Sequence, residues 1–296
     1  MNNASLWLNA LSLAFFITGL ILTLKGSAAI ADAPRYAAWI RFGPLFFGLP
    51  LVIFGLQHFA LPNDVIGAVP SYMPARMFWV YFVGTALIAA AISLITNRMT
   101  RWAALLLGIL FLLFVLMIYI PIVVRNPHSR FLWALFCRDF SLSASAFALA
   151  GTLALHPDAP AARIMRIVGR YIFAAVMVFF GVEHFPHPHY APGVPLEMML
   201  PAWMPAHAAW AWVTGAILVV CGLSILLNQR PSLAAVVLGV TYLALVLFIY
   251  VPMEIAHPSI QISGELDYVG DTLIFSGAAF FIARSILVPS STITQA

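Results

Sequence analysis

Nine long stretches of this chain carry little or no charge, and that feature dictates where the chain can live. They run over Leu6–Leu24, Phe42–Phe59, Met77–Thr96, Trp102–Val124, Leu132–Leu155, Tyr171–Phe185, Ala208–Leu227, Ala234–Met253 and Leu266–Ala283. About 20 apolar residues make a helix that crosses a bilayer. Lipid offers the backbone no hydrogen-bond partners, so each run closes its own bonds as a helix. The sixth run is short for a full crossing, which leaves its limits the least defined. Composition agrees: 63% of residues are hydrophobic and 8% charged, against about 25% charged in an ordinary soluble domain. The fold class expected is all-α integral membrane.

The charges that remain are informative by position. The net charge is +4, but the Lys and Arg residues are scattered through short loops and form no single patch. Nucleic acid is therefore excluded as a partner, and the lipid bilayer is the partner expected. Lys25, Arg35, Arg41, Arg98, Arg101, Arg163, Arg166, Arg170, Arg230 and Arg284 fall on one set of loops and ends. Arg76, Arg125, Arg130 and Arg138 fall on the other. The bias places the first set in the cytoplasm, the N-terminus outside and the C-terminus inside, in a bacterial inner membrane. No basic residue precedes Lys25, so Leu6–Leu24 reads as a retained helix, not a cleaved signal. Cys137 and Cys221 lie in no Cys-x-x-Cys motif and read as small apolar residues. The spaced Arg163, Arg166 and Arg170 read as lipid-headgroup anchors.

The chain also repeats itself. Gly55-Leu56-Gln57-His58-Phe59 matches Gly181-Val182-Glu183-His184-Phe185. Met73-Pro74 matches Met204-Pro205, Gly84 matches Gly215, and Asn97 matches Asn228. Ile118-Tyr119-Ile120-Pro121 matches Ile249-Tyr250-Val251-Pro252. From Pro74 onward these landmarks share an offset of 131. Asp139 and Asp271 match one residue later and are expected to open the last helix of each copy, where a carboxylate caps free N–H groups. The expected organisation is an N-terminal helix and cytoplasmic loop (1–41), a first four-helix repeat (42–160) and a second (161–296). Each repeat is expected to form a four-helix bundle, with the first helix packed at the side.

A Gly-x-x-His-Phe end to the first repeat helix, a Met-Pro before the second, an Ile-Tyr-x-Pro end to the third and an acid opening the fourth resemble the DoxX-like bacterial membrane proteins, here duplicated. The resemblance covers residues 42–285. It implies a four-helix membrane fold, and for some members a link to quinone-coupled or thiol and sulfur oxidoreductase complexes.

Histidines and acids gather at the outer face, and copy two reads as the more functional copy. Gln57 becomes Glu183, Val123 becomes Glu254 and Asn126 becomes His257. Glu183, Glu254 and Asp271 have no Lys or Arg on their own loops, so each calls for a proton, a histidinium, a metal or an arginine of copy one, with Arg138 the natural candidate. The candidate catalytic residues are Glu183, His184, Glu254, His257 and Asp271. His58, Tyr119, Asp139 and Tyr250 are the candidate cofactor-binding residues. Glu254-x-x-His257 has the spacing of one helix face, although Pro258 biases His257 out of helix. The prolines of His184-Phe185-Pro186-His187-Pro188-His189 hold that tract extended, and no metal set is assigned. The function expected is a membrane subunit that binds a lipophilic redox partner, a quinone or quinol, and works with a redox or exported partner protein. The alternative is a non-enzymatic protein: a small-solute or proton-coupled transporter, or an assembly factor.

Overall fold

In a computed structural model describing residues 3–26, 33–259, 261 and 264–287, every apolar run is a helix. These are α1 (Asn3–Lys25), α2 (Gly43–Ala60), α3 (Arg76–Ile95), α4 (Thr100–Arg125), α5 (Arg130–Thr152), α6 (Pro160–Glu183), α7 (His207–Leu226), α8 (Pro231–Ala256) and α9 (Glu265–Leu287). Among the described residues these are the helices long and apolar enough to cross a membrane. The chain is an all-α, multi-pass membrane protein. Asp32 lies outside the described residues.

The short sixth run is corrected. Helix α6 has 24 residues and carries Arg163, Arg166 and Arg170 within it. Two of these arginines do more than anchor headgroups. Arg166 donates to the carbonyls of Gly151 (3.1 Å) and Pro157 (2.8 Å). Arg170 donates to the Ile225 carbonyl (3.0 Å) and Asn228 Oδ1 (2.8 Å). Both satisfy acceptors at or beyond helix C-termini, where a cation also meets the negative end of the helix dipole.

The duplication is present in the backbone as well as in the letters. Ala75 and Ala206, Asn97 and Asn228, and Met99 and Arg230 are all left-handed. A wide π turn interrupts α4 at Val115–Tyr119 and α8 at Val246–Tyr250. The cause follows two residues later in each copy. Pro121 and Pro252 have no N–H to donate to the carbonyls of Met117 and Phe248, and the wider turn absorbs the break. Ser143 donates to the Gly108 carbonyl and Ser276 to that of Gly239, both at 2.7 Å, tying the last helix of each copy to its third.

The copies do not pack as two self-contained bundles. α2 opens copy one and packs on α9, which closes copy two. α5 closes copy one and packs on α6, which opens copy two. The contacts run in a ring, α2–α3–α4–α5–α6–α7–α8–α9 and back to α2, with α5 and α9 touching across its middle. Two helical halves thus share the α5–α9 pair. Small residues permit these crossings. A Cβ on Gly277 would lie 2.3 Å from the Phe47 nitrogen, and one on Gly169 would lie 2.3 Å from the Ala144 carbonyl oxygen. Between lipid-embedded helices such close backbone contact replaces the hydrophobic drive that water would supply. The central helix α9 is 78% buried over its apolar window and α1 only 11%, so α1 sits outside the ring, against α2 and α3.

Within copy two, α6 and α7 meet at Gly181 and Gly215. A Cβ on Gly215 would lie 2.8 Å from the Gly181 carbonyl oxygen and 2.9 Å from His184 Cβ. Gly215→Leu is expected to cost about 1–3 kcal/mol by overpacking. It should lower the thermal midpoint measured in detergent, and an unchanged midpoint would contradict the close crossing.

Candidate functional site

Copy one encloses a cavity of about 460 Å³ between α2, α3, α4 and α5, completed by α9 of the other copy. Its walls are largely apolar, with Val80, Leu87, Phe111 and Phe114 among them. The α2–α3 loop covers one end through Val65, Ala68, Val69 and Met73. Arg76 braces that cover by donating to the carbonyls of Val69 (3.0 Å) and Ile66 (2.5 Å). Phe82 on α3 and Leu113 on α4 line the cavity and are exposed, and α3 and α4 make the loosest step of the ring. The cavity wall is therefore least tightly closed along the α3–α4 seam.

The cavity's polar groups centre on Arg138. Its Nε donates to Asp139 Oδ1 at 2.8 Å, and its Nη1 donates to both oxygens of Asp271 at 3.1 and 3.0 Å. Its Nη2 donates to the Tyr119 hydroxyl at 3.1 Å. Two buried carboxylates, one from each copy, thus face a single guanidinium. An arginine offers a planar fork of donors suited to this shared, two-sided recognition. Beside it, Gln57 Nε2 donates to Asp267 Oδ1. His58 completes the set: its Nδ1–H donates to the Phe54 carbonyl at 2.7 Å, since a carbonyl can only accept.

The helix-cap expectation for Asp139 and Asp271 is overturned. Both lie inside their helices, which begin at Arg130 and Glu265. Ser129 is the residue that caps α5, its Oγ accepting from the Leu132 N–H at 3.4 Å. The apolar stretches themselves begin at Leu132 and Leu266, ahead of both acids, and so already place Asp139 and Asp271 beyond the first turn, where no free N–H groups remain to cap.

The site is expected mainly in copy two, but the open cavity lies in copy one. The offset between copies rises from 126 at His58/His184 to 131 at Pro74/Pro205, so copy two carries five extra residues between these landmarks, within the loop that joins α6 to α7. That loop folds inward. Ala191, Val194, Leu196 and Leu200 are buried. Gly193 has φ +122°, and a Cβ on it would lie 3.3 Å from Leu245 and 3.6 Å from both Thr272 and Tyr242. Tyr242 and Leu245 are the counterparts of Phe111 and Phe114, which line the cavity of copy one. The loop therefore fills the space that copy one leaves open. Arg130 of α5 secures it by donating to the Pro195 carbonyl at 2.9 Å and stacking over Tyr190 at 4.7 Å.

The candidate residues divide accordingly. His58, Tyr119, Asp139 and Asp271 line the copy-one cavity. His184 and Tyr250 are engaged by the loop: the Gly193 N–H donates to His184 Nε2 at 2.8 Å, and the Tyr250 hydroxyl donates to the Pro192 carbonyl at 2.7 Å. Glu183 lies outside the cavity, 3.8 Å from both Arg130 and His187, so its cation is Arg130 and not Arg138. Glu254 Oε2 accepts from the Ser259 N–H at 3.3 Å, while His257 is exposed past the helix end. The i,i+3 geometry fails there because Pro258 turns His257 out of the helix (φ −137°, ψ 72°). Among the described residues no three His, Cys, Asp or Glu side chains converge to hold a metal ion. Sequence reasoning did not assign the Gln57–Asp267 bond or the open cavity of copy one. The signal that pointed there was the jump in offset, which marks the longer loop.

A profile described as a domain of unknown function (DUF8561) matches residues 47–131. That span covers α2 to the start of α5, with His58, the covering loop and Tyr119, but stops before Arg138. No curated protein matches, and no solved structure matches.

Removing Arg138 leaves Asp139 and Asp271 without their shared cation. Arg138→Leu is expected to cost about 3–5 kcal/mol, as for other broken buried pairs. Asp271→Asn should cost clearly less, because Asp139 still balances the guanidinium. Thermal unfolding of both variants checks this, and equal losses would contradict the shared pairing.

His184, at the loop side of α6, has its pKa pushed down to about 4 by burial. The unfolded chain, with an ordinary histidine near 6.5, binds a proton over pH 6.5 to 4 that the folded protein does not. Its contribution to stability is complete above pH 6.5 and falls as pH drops through that window. His184→Gln should flatten the slope of unfolding midpoint against pH there, and an unaltered slope would assign it to other groups.

Proposed function

We propose that this protein binds a quinone or quinol in the copy-one cavity, as the membrane subunit of an oxidoreductase system. The observation that carries the reading is a largely apolar cavity, inside a membrane-spanning ring, holding Arg138, Asp139, Asp271, Tyr119 and His58. Apolar walls suit an isoprenoid tail, and the polar groups suit ring oxygens. The α3–α4 seam supports entry from the bilayer rather than from water. The resemblance to DoxX-like proteins supports the same reading. Basic-residue bias supports a bacterial inner-membrane location with the N-terminus, the α2–α3 loop and the cavity's covered end outside. On oxidation a quinol releases two protons and two electrons. The carboxylates are placed to take up protons, and the electrons pass to a redox centre on a partner protein.

The test is binding of a decyl-chain benzoquinone/benzoquinol pair to the purified protein in lipid nanodiscs, alongside native mass spectrometry of the protein from its own membranes. Tyr119→Phe is expected to weaken binding roughly ten-fold, the size of one lost hydrogen bond to a buried polar group. His257→Ala, outside the cavity, should leave it unchanged. Absence of binding by the unaltered protein, or full binding by Tyr119→Phe, would overturn the reading. A stable protein partner without a bound small molecule would favour an assembly role.

A further inference from the structure

The loop that fills copy two shows what polarity of ligand the repeat is built to hold. One peptide group sits between His184 and Tyr250: the Pro192 carbonyl accepts from the tyrosine, and the Gly193 N–H of the same peptide bond donates to the histidine. The histidine accepts because its other nitrogen is committed. His184 Nδ1–H donates to the carbonyl four residues back, that of Phe180, at 2.5 Å.

His58 is held in the same way. Its Nδ1–H donates to the carbonyl four residues back, that of Phe54. Its Cβ lies against Gly84 as that of His184 lies against Gly215. The two rings therefore share an orientation and a tautomer, and a neutral His58 offers the cavity an acceptor at Nε2. At Tyr119 the polarity is the opposite. The phenol oxygen accepts from Arg138, whose Nε and Nη1 are held by Asp139 and Asp271, so this end offers the phenol O–H and calls for an acceptor, as Tyr250 finds in the Pro192 carbonyl.

We infer that copy one selects the reduced quinol over the oxidised quinone, with His58 the residue that discriminates. This rests on the quinone reading above. A quinol hydroxyl donates to His58 Nε2, and its other oxygen accepts at the Tyr119–Arg138 end. A quinone has acceptors only. Its carbonyl would face the histidine lone pair, and a site built for a donor rejects an analogue that lacks one.

The experiment measures affinity of the protein in nanodiscs, at about pH 8 where an ordinary histidine is neutral. The probes are decyl-benzoquinol, the matching benzoquinone, and the quinol's dimethyl ether, which keeps the ring but has no donor. The expected result is binding of the quinol at least ten-fold tighter than either other probe. His58→Leu should erase that ratio. His58→Gln, whose amide can turn either polar atom to the ligand, should shrink it even if the leucine variant folds poorly. If no probe binds, the cavity reading itself fails. If quinol and quinone bind equally well to the unaltered protein, the cavity reading stands and selection is overturned. If the ratio survives in both His58 variants, its assignment to His58 is overturned.

Discussion

Arg138 crosses the middle of the ring and holds one carboxylate from each copy, and much of the molecule is arranged around that contact. An arginine in the interior of a membrane protein is costly unless its donors are satisfied. Here Asp139, Asp271 and Tyr119 take them. The pairing requires α5 and α9 to lie side by side, although they close different copies. That placement carries the other helices with it. α2 docks on α9 and α6 on α5, and the duplicated chain closes as one ring instead of two bundles. Copy two has Gly270 at the position of Arg138, so the contact exists once.

The single arginine makes the two halves unequal, and loop length completes the difference. Both halves keep the same turns, the same π interruption, and the same histidine and tyrosine. In one half a longer loop lies over the tyrosine and histidine and satisfies both with its own backbone. In the other half the shorter loop only covers the cavity, and the space between its apolar walls stays open. A buried polar side chain must find a partner somewhere. Copy two supplies that partner from within the chain, while copy one presents the equivalent side chains to an open cavity.

How much of this was legible beforehand depended on range. Helix count and approximate position followed from runs of apolar letters, since a helix that spans lipid satisfies its own backbone. The repeat was visible through Gly55/Gly181, Asn97/Asn228 and Tyr119/Tyr250. The link between Arg138 and Asp271 was foreseeable by elimination, because no Lys or Arg lies between Arg230 and Arg284 and Arg138 stands beside the matching Asp139. Glu183 misled for the same reason. Its partner Arg130 lies on α5, distant in sequence and adjacent only after α5 and α6 pack. Chemistry-bearing letters accumulate in copy two, and letter counting therefore favoured the half whose loop fills it.

The sequence by itself determined the solvent, the helices and the duplication. All three are set by composition and short-range pattern, and lipid punishes any other backbone state. Tertiary structure alone decided which helices became neighbours, which acids shared Arg138 and which half kept an open cavity. Those outcomes depend on contacts between residues more than a hundred positions apart, such as Arg138 with Asp271, and on a loop whose length is legible but whose inward fold is not. Side-chain identity states what a residue can donate or accept. Only packing states whether the chain itself, or something from outside it, will meet that demand.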